Sequence, residues 1–487
     1  MSQCFTVKTA IAGTLHPTSD RFASSVACLD NRYVVARRLL SVFLAAAALS
    51  ACVRDEPARR PNVLLFSIDS LRADHVGAYG YPRPTTPVID RLATEGVLFE
   101  RAISSTSWTL PAHVSLLTGL PDSAHGVTST RSKLPATAFT LAEAFDAQDY
   151  ETVGFFSGPF LDPAFGFGQG FDRYVDCTSY GGLREAGRKH AHPASHLDRT
   201  NPTVLWNVLH ELERVGHRPF FFFVHMWDVH YDLIPPPPFD SMFDPDYRGT
   251  FDGRNFRHNR EFRPGMNPRD FQHVLALYDG EVRYTDETIG RILEFARGRG
   301  LLDDTLVIIT ADHGDEFLDH DGKGHRNTLY QELIRIPLIL WWPRRIAPAR
   351  ISEVVRLYDV APTILELAGL PIPPTMKGVS LASAVTGGHP VPELVAESEL
   401  TVGNKIRLRS LIAGDTKVIA DEIRGTEVFF DLATDPLEKR PARAGNEPRA
   451  RALAAHLARF RSQPAAAHRA RLPDSLESRL RALGYVD

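Results

Sequence analysis

A threonine at the start of a short apolar segment is the first residue whose surroundings suggest chemistry. Residues 107–119 read SWTLPAHVSLLTG, so Thr109 stands two residues before a proline and the segment closes with Gly119. Proline suits the first turn of a helix and glycine suits its end, which predicts a helix beginning at or just after Thr109. A helix N-terminus favours negative charge, as a nucleophile for phosphoryl or sulfuryl transfer requires. The alternative is that Thr109 only caps the helix.

Carboxylates and an imidazole follow two strongly apolar stretches. Asp69 comes directly after residues 62–68, and Asp312 and His313 come after residues 305–310. If both stretches are strands of one sheet, these side chains can meet at its edge. Carboxylate oxygens and an imidazole can hold a divalent cation, and that cation could also contact the Thr109 hydroxyl and lower its pKa.

Apolar stretches alternate with helical patterns over most of the chain. A continuous apolar run bounded by turn residues is typical of a strand buried on both faces. Such runs occur at 62–68, 152–156, 220–224, 305–310 and 336–341, and helical patterns lie at 87–95, 141–147, 202–215 and 270–298. The alternation predicts an α/β fold with a mixed, mostly parallel sheet between helices, and with ligands at the carboxyl ends of the strands.

The last hundred residues follow a different pattern. Strand patterns at 405–413, 417–421 and 427–432 precede a helical pattern at 448–461. They predict a small antiparallel sheet covered by a helix, and we place the boundary between a catalytic domain, residues 62–385, and this subdomain, residues 386–487, near residue 385. An irregular insertion at 244–267 either covers the cleft or is a plain surface excursion.

The beginning of the chain has the features of an export signal. Arg37 and Arg38 precede the apolar run 39–49, and small residues then lead to Cys52. This order predicts a signal peptide, and the ending Leu-Ser-Ala-Cys resembles a bacterial lipobox. We expect residues 1–52 to be the signal and lipobox region, with the true start downstream of Met1, and residues 53–61 to be a tether. The mature protein would be a lipoprotein anchored at Cys52 on the periplasmic or surface face of the bacterial cell envelope; an ordinary cleaved signal is the alternative.

Composition excludes several classes of protein. The 487 residues are 43% apolar and 23% charged, which suits a large globular core and excludes a disordered or fibrous chain. A net charge of -4 argues against a general nucleic-acid binder, so no nucleic-acid partner is expected. Of the four cysteines only Cys177 lies beyond the proposed signal region, so we expect a buried thiol there and no disulfide.

Four stretches together resemble, in order, the landmarks of the sulfatase family of the alkaline phosphatase superfamily. They are residues 62–69, the Thr109 segment, residues 310–314 (TADHG) and residues 330–337 (YQELIRIP). The resemblance covers roughly residues 61–487 and implies the alkaline-phosphatase-like fold. It implies that Asp69, Asp312 and His313 bind a divalent metal ion, with Thr109 as nucleophile and fourth ligand. Zinc, manganese, calcium and magnesium all suit such a shell.

The resemblance also suggests further histidines. His230, after the predicted strand at 220–224, matches the family's substrate-contacting histidine. His325, twelve residues after His313, has the spacing of a second-metal or phosphate-binding histidine in phosphoethanolamine transferases. Either could assist the leaving group or bind a second ion, or be an ordinary hydrogen-bonded histidine. The weaker candidates for contacts with substrate or a second metal are His113, His225 and His320.

Three sulfate-specific features of the family are missing. Sulfatases proper oxidise a Cys or Ser in a Cys-x-Pro-x-Arg context to formylglycine, whereas Thr109 holds that position here and His113 replaces the arginine. Ser70 replaces the second residue of the family's Asp-Asp pair. Residues 156–159 read Phe-Ser-Gly-Pro where a Lys-x-His sulfate clamp would lie. This pattern resembles the threonine-nucleophile branch of phosphodiesterases, phosphonate hydrolases and phospho-alcohol transferases.

We therefore predict a metal-dependent hydrolase in which Thr109 attacks a phosphodiester, phosphonate or related phosphoester. The substrate would be a small molecule or a glycan or lipid ester. The alternatives within the family are a sulfatase that acts without formylglycine and a phospho-alcohol transferase. An inactive cell-surface binding protein that keeps the fold is an alternative of a different class.

Overall fold

The computed structural model describes residues 60–178, 199–230, 232–442, 448–460, 468–482 and 485. The described residues from Arg60 onward belong to one compact unit. The predicted signal peptide, the lipobox at Cys52 and most of the tether lie outside the described residues, so those expectations stay predictions. No helix in the described ranges is both long enough and apolar enough to cross a bilayer.

A central sheet of eight strands organises the unit. In chain order the strands of the first two sheets are β1 (Asn62–Ile68), β2 (Val97–Ile103), β3 (Glu151–Phe156), β4 (Arg173–Asp176), β5 (Phe220–Met226), β6 (Thr305–Ala311), β7 (Glu316–Phe317), β8 (Lys323–Gly324), β9 (Arg335–Trp341) and β10 (Ala349–Arg356). The large sheet has the order β10-β2-β9-β6-β1-β5-β3-β4, and β7 and β8 form a separate hairpin. Its neighbours pair in parallel, except that β9 runs antiparallel to both β2 and β6. The predicted mixed, mostly parallel sheet is confirmed.

Burial explains which strands the sequence revealed. Every residue of β1, β5 and β6 is buried, as expected for central strands of a parallel sheet covered on both faces. The strands that sequence patterns missed lack such a run: β2 carries half-buried Glu100 and Arg101, β4 has only four residues, and β10 lies at the sheet edge with exposed positions. An exposed or charged position interrupts the apolar signal on which strand recognition depends.

Helices cover the sheet and supply the loops at its carboxyl edge. In chain order they are α1 (Pro87–Glu95), α2 (Thr109–Thr118), α3 (Asp122–His125), α4 (Leu141–Asp146), α5 (Asn201–Val215), α6 (Pro268–Gly298), α7 (Gln331–Ile334), α8 (Val360–Leu367), α9 (Ala382–Val385), α10 (Pro448–Phe460) and α11 (Asp474–Ala482). The four predicted helical patterns correspond to α1, α4, α5 and α6. The longest helix, α6, begins after Asn267, whose side chain accepts a hydrogen bond from the Arg269 backbone N–H.

A second, antiparallel sheet follows residue 385, with the order β11 (Val395–Val402), β12 (Ile406–Ala413), β13 (Thr416–Asp421) and β14 (Thr426–Asp431). Helix α10 packs on β12 and β13. The three predicted strands are therefore present, and β11 is an additional one. β11 braces the segment before Thr109: the Glu399 N–H donates to the Ser105 carbonyl (2.8 Å) and the Ser398 hydroxyl donates to the Ser104 carbonyl (2.6 Å).

The insertion at 244–267 packs against the chain segment that leads to His325. Its backbone is irregular apart from a short 3-10 turn, Phe256–His258. Asp232 accepts hydrogen bonds from the backbone N–H groups of Asn255 (2.6 Å) and Phe256 (2.9 Å). The Lys323 ammonium donates to the Asn259 carbonyl (2.6 Å). These contacts fix the insertion next to the carboxyl edge of the sheet.

Candidate functional site

The carboxyl ends of three adjacent parallel strands bring the predicted polar residues together. β1 lies between β6 and β5, and Ser67 of β1 is level with Thr310 on one side and His225 on the other. Asp69 follows β1 directly, and Asp312 and His313 follow β6. Adjacent parallel strands end at the same edge, so these side chains enter one buried space.

Thr109 enters this space from the first turn of α2. Thr109 is the first helical residue, Trp108 is the N-cap, and Gly119 closes the helix with a φ of 64°. Thr109 therefore lies inside the helix and is not its capping residue. Its hydroxyl lies 3.4 Å from Asp69 Oδ2 and 3.3 Å from His313 Nε2. The threonine thus faces the two groups that the sequence proposed as its partners.

Asp69, Asp312 and His313 form a cluster that suits a metal ion. Each offers one ligand atom, and these atoms lie within 4.8 Å of one another in a buried space. The Nδ1 atom of His313 is 2.9 Å from the Gly314 carbonyl, so it carries the proton and leaves Nε2 as the acceptor. Asp312 Oδ2 is buried and has no hydrogen-bond partner among the described residues. A buried carboxylate oxygen without a hydrogen-bond donor is a suitable ligand for a cation.

The raised pKa values of the two carboxyl groups also favour a bound cation. Burial raises the pKa of Asp69 to about 6, although His313, Ser70 and Thr109 oppose the shift. Burial, together with the nearby Asp69, raises the pKa of Asp312. Two carboxylates held this close in a desolvated space repel each other, and a bound cation would relieve that repulsion.

His113 and His225 surround the cluster. His113 Nδ1 lies 2.8 Å from the Thr109 carbonyl, and its Nε2 lies 2.9 Å from the Ser67 hydroxyl. His225 Nε2 lies 3.3 Å from Asp69 Oδ2. Burial lowers the pKa of His113 to about 3 and that of His225 to about 4, so both imidazoles are neutral at pH 7. His113 therefore ties the start of α2 to β1, and His225 supports Asp69.

The two histidines proposed to face the substrate are also brought to the site. The ring of His325 lies 4.4 Å from that of His313, and its Nδ1 is 2.7 Å from Asp315 Oδ1. The ring of His230 stacks on Trp227 and lies 5.0 Å from the ring of His325. Burial, followed by the charge of His313, lowers the pKa of His325 well below its usual value. His313, Asp315 and His325 form a second group whose atoms could hold an ion.

His320, the remaining candidate, belongs to a different cluster. Its Nδ1 lies 2.8 Å from Glu332 Oε1, and its Nε2 lies 3.1 Å from the Glu438 carbonyl. Its ring stacks on Tyr330 with centroids 3.6 Å apart. With both ring nitrogens engaged there, His320 is not one of the groups that face Thr109. It stands with Glu316 and Glu332 in a third group of potential ligands.

Comparison with known proteins identifies the family of the chain. The family model described as Sulfatase matches residues 61–370, which is most of the chain and includes every residue of the Thr109 cluster. The chain belongs to the sulfatase family. It is thus a member of the alkaline phosphatase superfamily and a hydrolase of ester bonds.

Sulfatases of other organisms align with most of the length of this chain. An arylsulfatase of Clostridium perfringens is 24% identical over 434 residues, covering 78% of this chain and 89% of the relative. Human arylsulfatase A is 28% identical over 378 residues, covering 68% of each chain. The solved phosphonate monoester hydrolase of Agrobacterium radiobacter superposes with a TM-score of 0.67 at 23% identity, covering 83% of this chain and 96% of that one. The last comparison shows the alkaline-phosphatase-like fold.

Serines stand at two of the positions where the sulfatase features are missing, and both contact residues of the cluster. Ser70 adopts a φ of 59°, and its hydroxyl donates to Asp69 Oδ1 (3.0 Å) while its N–H contacts Asp312 Oδ1 (3.2 Å). Ser157, in the segment that would carry the Lys-x-His clamp, donates to the His225 carbonyl (2.7 Å). Both serines orient the residues of the cluster.

Sequence patterns missed four residues beside the site: Asp315, Arg257, Arg326 and Tyr485. The Arg326 guanidinium lies 4.5 Å from the centroid of the Trp108 ring and 5.7 Å from that of Tyr485, and Arg257 lies 5.5 Å from the Tyr485 ring. Asp315 and Arg326 adjoin motif residues and could have been proposed from that adjacency. Arg257 and Tyr485 come from the insertion and from the segment after α11, where no local pattern marks them.

Proposed function

We propose that this sulfatase-family hydrolase acts on phosphodiesters, phosphonate monoesters or related phosphorus esters, with Thr109 as the nucleophile. The observation that carries the proposal is the position of the Thr109 hydroxyl, 3.4 Å from Asp69 Oδ2 and 3.3 Å from His313 Nε2 at the start of a helix. A threonine is a secondary alcohol and has no route to the aldehyde of formylglycine. The hydroxyl itself must therefore attack.

Asp69, Asp312 and His313, with the Thr109 hydroxyl, would hold one divalent metal ion; zinc, manganese, calcium and magnesium remain the candidates. When bound, the ion would lower the pKa of the hydroxyl and neutralise charge on the oxygens of the transferring group. The buried Asp312 Oδ2 supports this assignment.

The residues of the chain can perform each proton and bond transfer. Thr109 Oγ1 forms a bond to phosphorus and gives its proton to the carboxylate of Asp69, whose Oδ2 lies 3.4 Å away. The bond from phosphorus to the leaving oxygen breaks, and that oxygen takes a proton from the imidazolium form of His230, whereas neutral His325 can only accept a hydrogen bond at Nε2. Water then attacks the phosphorus of phosphothreonine and gives a proton to the same imidazole. The bond between phosphorus and Thr109 Oγ1 breaks, and Oγ1 takes its proton back from Asp69.

Two arginines support an anionic substrate. Arg326 lies over the ring of Trp108, the neighbour of Thr109. Arg257 belongs to the insertion and lies over the ring of Tyr485. Both are half-buried, so their charge acts in a partly desolvated space. Guanidinium groups bind phosphate and sulfate oxygens with paired N–H donors. They are candidates for the anion-binding role that the absent Lys-x-His segment would have had.

Sulfate-ester hydrolysis is the second candidate, because the relatives of the chain include arylsulfatases. The two are separated by measuring rates on a nitrophenyl sulfate, a nitrophenyl phosphate, a bis-nitrophenyl phosphodiester and a phenyl phosphonate monoester, with each divalent ion. We expect turnover of a phosphorus ester that Thr109→Ala abolishes and Thr109→Ser partly retains. Preference for the sulfate would replace the proposal with sulfatase activity, and equal rates for the two variants would exclude Thr109 from the chemistry.

We also propose that the protein is anchored in the bacterial cell envelope through lipidated Cys52, and that its substrate is a small-molecule, glycan or lipid ester. The support is the order of basic, apolar and small residues before Cys52. Mass spectrometry of the mature N-terminal peptide should find an acylated Cys52, and Cys52→Ala should release the protein from membranes. An unmodified N-terminus elsewhere would refute the anchor.

A further inference from the structure

A tyrosine from the segment after α11 reaches the pair of histidines at the site. The Tyr485 hydroxyl lies 2.9 Å from His230 Nε2 and 3.2 Å from His325 Nε2. The side chain is buried. Tyr485 lies beyond residues 61–370, which the family model matches, and none of the proposed hydrolysis steps uses it.

The fold holds Tyr485 in place through the segment that precedes it. The Lys133 N–H donates to the His468 carbonyl, and the Ala470 N–H donates to the Arg131 carbonyl, both at 2.8 Å. Leu480 of α11 is fully buried, and the Tyr485 N–H donates to its carbonyl (2.9 Å). Tyr485 is therefore positioned by a packed helix.

The ring of Tyr485 belongs to the same wall as the nucleophile. It packs edge-on against Phe160 with centroids 4.7 Å apart, and Phe160 packs in the same way against Trp108 at 5.4 Å. The guanidinium of Arg326 lies over both Trp108 and Tyr485. A continuous row of aromatic contacts thus connects Tyr485 to the residue before Thr109.

Hydrogen-bond capacity limits the states of the two imidazoles. A phenolic hydroxyl has a single proton, so it can donate to only one of the two Nε2 atoms. The other Nε2 must then carry a proton and donate to the phenolic oxygen. On the opposite side of its ring, His325 Nδ1 contacts Asp315 Oδ1 at 2.7 Å, which fixes the orientation of that imidazole.

We propose that Tyr485 is a positioning residue for ester hydrolysis: its hydroxyl donates to His325 Nε2 and accepts from His230 Nε2–H, and so holds that proton where the leaving oxygen of a bound ester can take it. This inference rests on the proposed function. In the step itself the bond between phosphorus and the leaving oxygen breaks, the oxygen takes the Nε2 proton of the His230 imidazolium, and the neutral imidazole that results can accept a hydrogen bond from the Tyr485 hydroxyl.

The kinetic test is Tyr485→Phe, which removes the hydroxyl and keeps the ring. Proton donation matters most for a poor leaving group, so we expect kcat on an alkyl ester to fall about 10- to 100-fold. On a nitrophenyl ester the loss should stay below about threefold, because that leaving group departs as an anion. The control is Tyr174→Phe, which removes a buried hydroxyl that donates to the Leu161 carbonyl (2.8 Å) away from the site.

Two kinetic outcomes would overturn the proposal. Equal losses on both esters would mean that Tyr485 has only a packing role. A higher rate or a lower KM in Tyr485→Phe would mean that the hydroxyl occupies the place of a substrate oxygen and obstructs binding.

Nitrogen-15 NMR of the imidazoles tests the coupling without turnover. Signals of His230 and His325 are assigned with His230→Gln and His325→Gln, and we expect Tyr485→Phe to shift both, with the other imidazoles unchanged. Unshifted signals would overturn the coupling whatever the enzyme hydrolyses. Shifted signals in a protein that hydrolyses no ester would instead refute the proposed function and leave the hydrogen-bonded pair established.

Discussion

Neutralising Asp69 should change how the stability of the metal-free protein depends on pH. Burial raises the pKa of this carboxyl from 3.8 to about 6 in the folded state. The folded protein therefore holds a proton that the unfolded chain releases at lower pH. The stabilisation of the folded state by this proton is complete below about pH 3.8 and is lost as the pH rises through about 6. Asp69→Asn has no charge to lose, so the variant lacks this contribution to the pH dependence.

The magnitude follows from the size of the shift. A rise from 3.8 to about 6 corresponds to about 3 kcal/mol of unfolding free energy lost between acid and alkaline pH. About 1.4 kcal/mol of that loss falls between pH 5 and pH 8, the range in which unfolding is easily measured. Without metal, the unfolding free energy of Asp69→Asn relative to that of wild type should therefore rise by about 1.4 kcal/mol from pH 5 to pH 8.

Urea unfolding of chelator-treated protein at pH 5 and pH 8 measures this difference. The control is Asp246→Asn, because the Asp246 side chain is 94% exposed. Adding the divalent ion should stabilise wild type at pH 8, by about 2.7 kcal/mol at a hundred times its Kd, and should stabilise Asp69→Asn far less. If wild type and Asp69→Asn keep a constant difference in stability from pH 5 to pH 8, the folded protein does not hold the extra proton and the reasoning is refuted.

Three further predictions concern binding and stability. Asp312→Asn removes the buried oxygen without a donor, so calorimetry should find metal affinity reduced at least tenfold; unchanged affinity would exclude Asp312 as a ligand. Asp286 accepts hydrogen bonds from the first N–H groups of α1, so Asp286→Ala should lower the unfolding free energy by about 2 kcal/mol in urea titrations, and a loss below about 0.5 would contradict this. The side chains of Lys417 and Glu438 are fully buried and 2.7 Å apart, so Lys417→Met should lower the unfolding free energy by about 3–5 kcal/mol. The loss should be clearly smaller when Lys417→Met is combined with Glu438→Gln, and equal losses would show that the pair is not coupled.

Local patterns predicted the parts of the molecule that depend on neighbours in sequence. β1 and β6 are unbroken apolar runs, and the polar residues after them therefore fall at the carboxyl edge of the sheet. The helix that begins at Thr109 has proline and glycine at its two ends. The core of the candidate site was accessible from sequence for this reason.

The residues that sequence patterns missed depend on distant packing. β11 has half-buried positions alternating with buried ones, and no unbroken apolar run marks it as a strand. Tyr485 meets His230 across 255 residues of chain, a contact that arises only when α11 docks. His320 lies between His313 and His325 in the sequence yet contacts Glu332, because position along the chain does not determine the direction of a side chain in a loop.

The bracing of the Thr109 segment by β11 has a consequence for how the protein folds. The hydrogen bond from Ser398 to the Ser104 carbonyl joins residues 294 positions apart, so it closes one of the longest loops in the chain. Contacts of such separation form slowly, because the ordering entropy of the intervening chain is spent first. During refolding, esterase activity should therefore return only once the second sheet has formed beside the Thr109 segment.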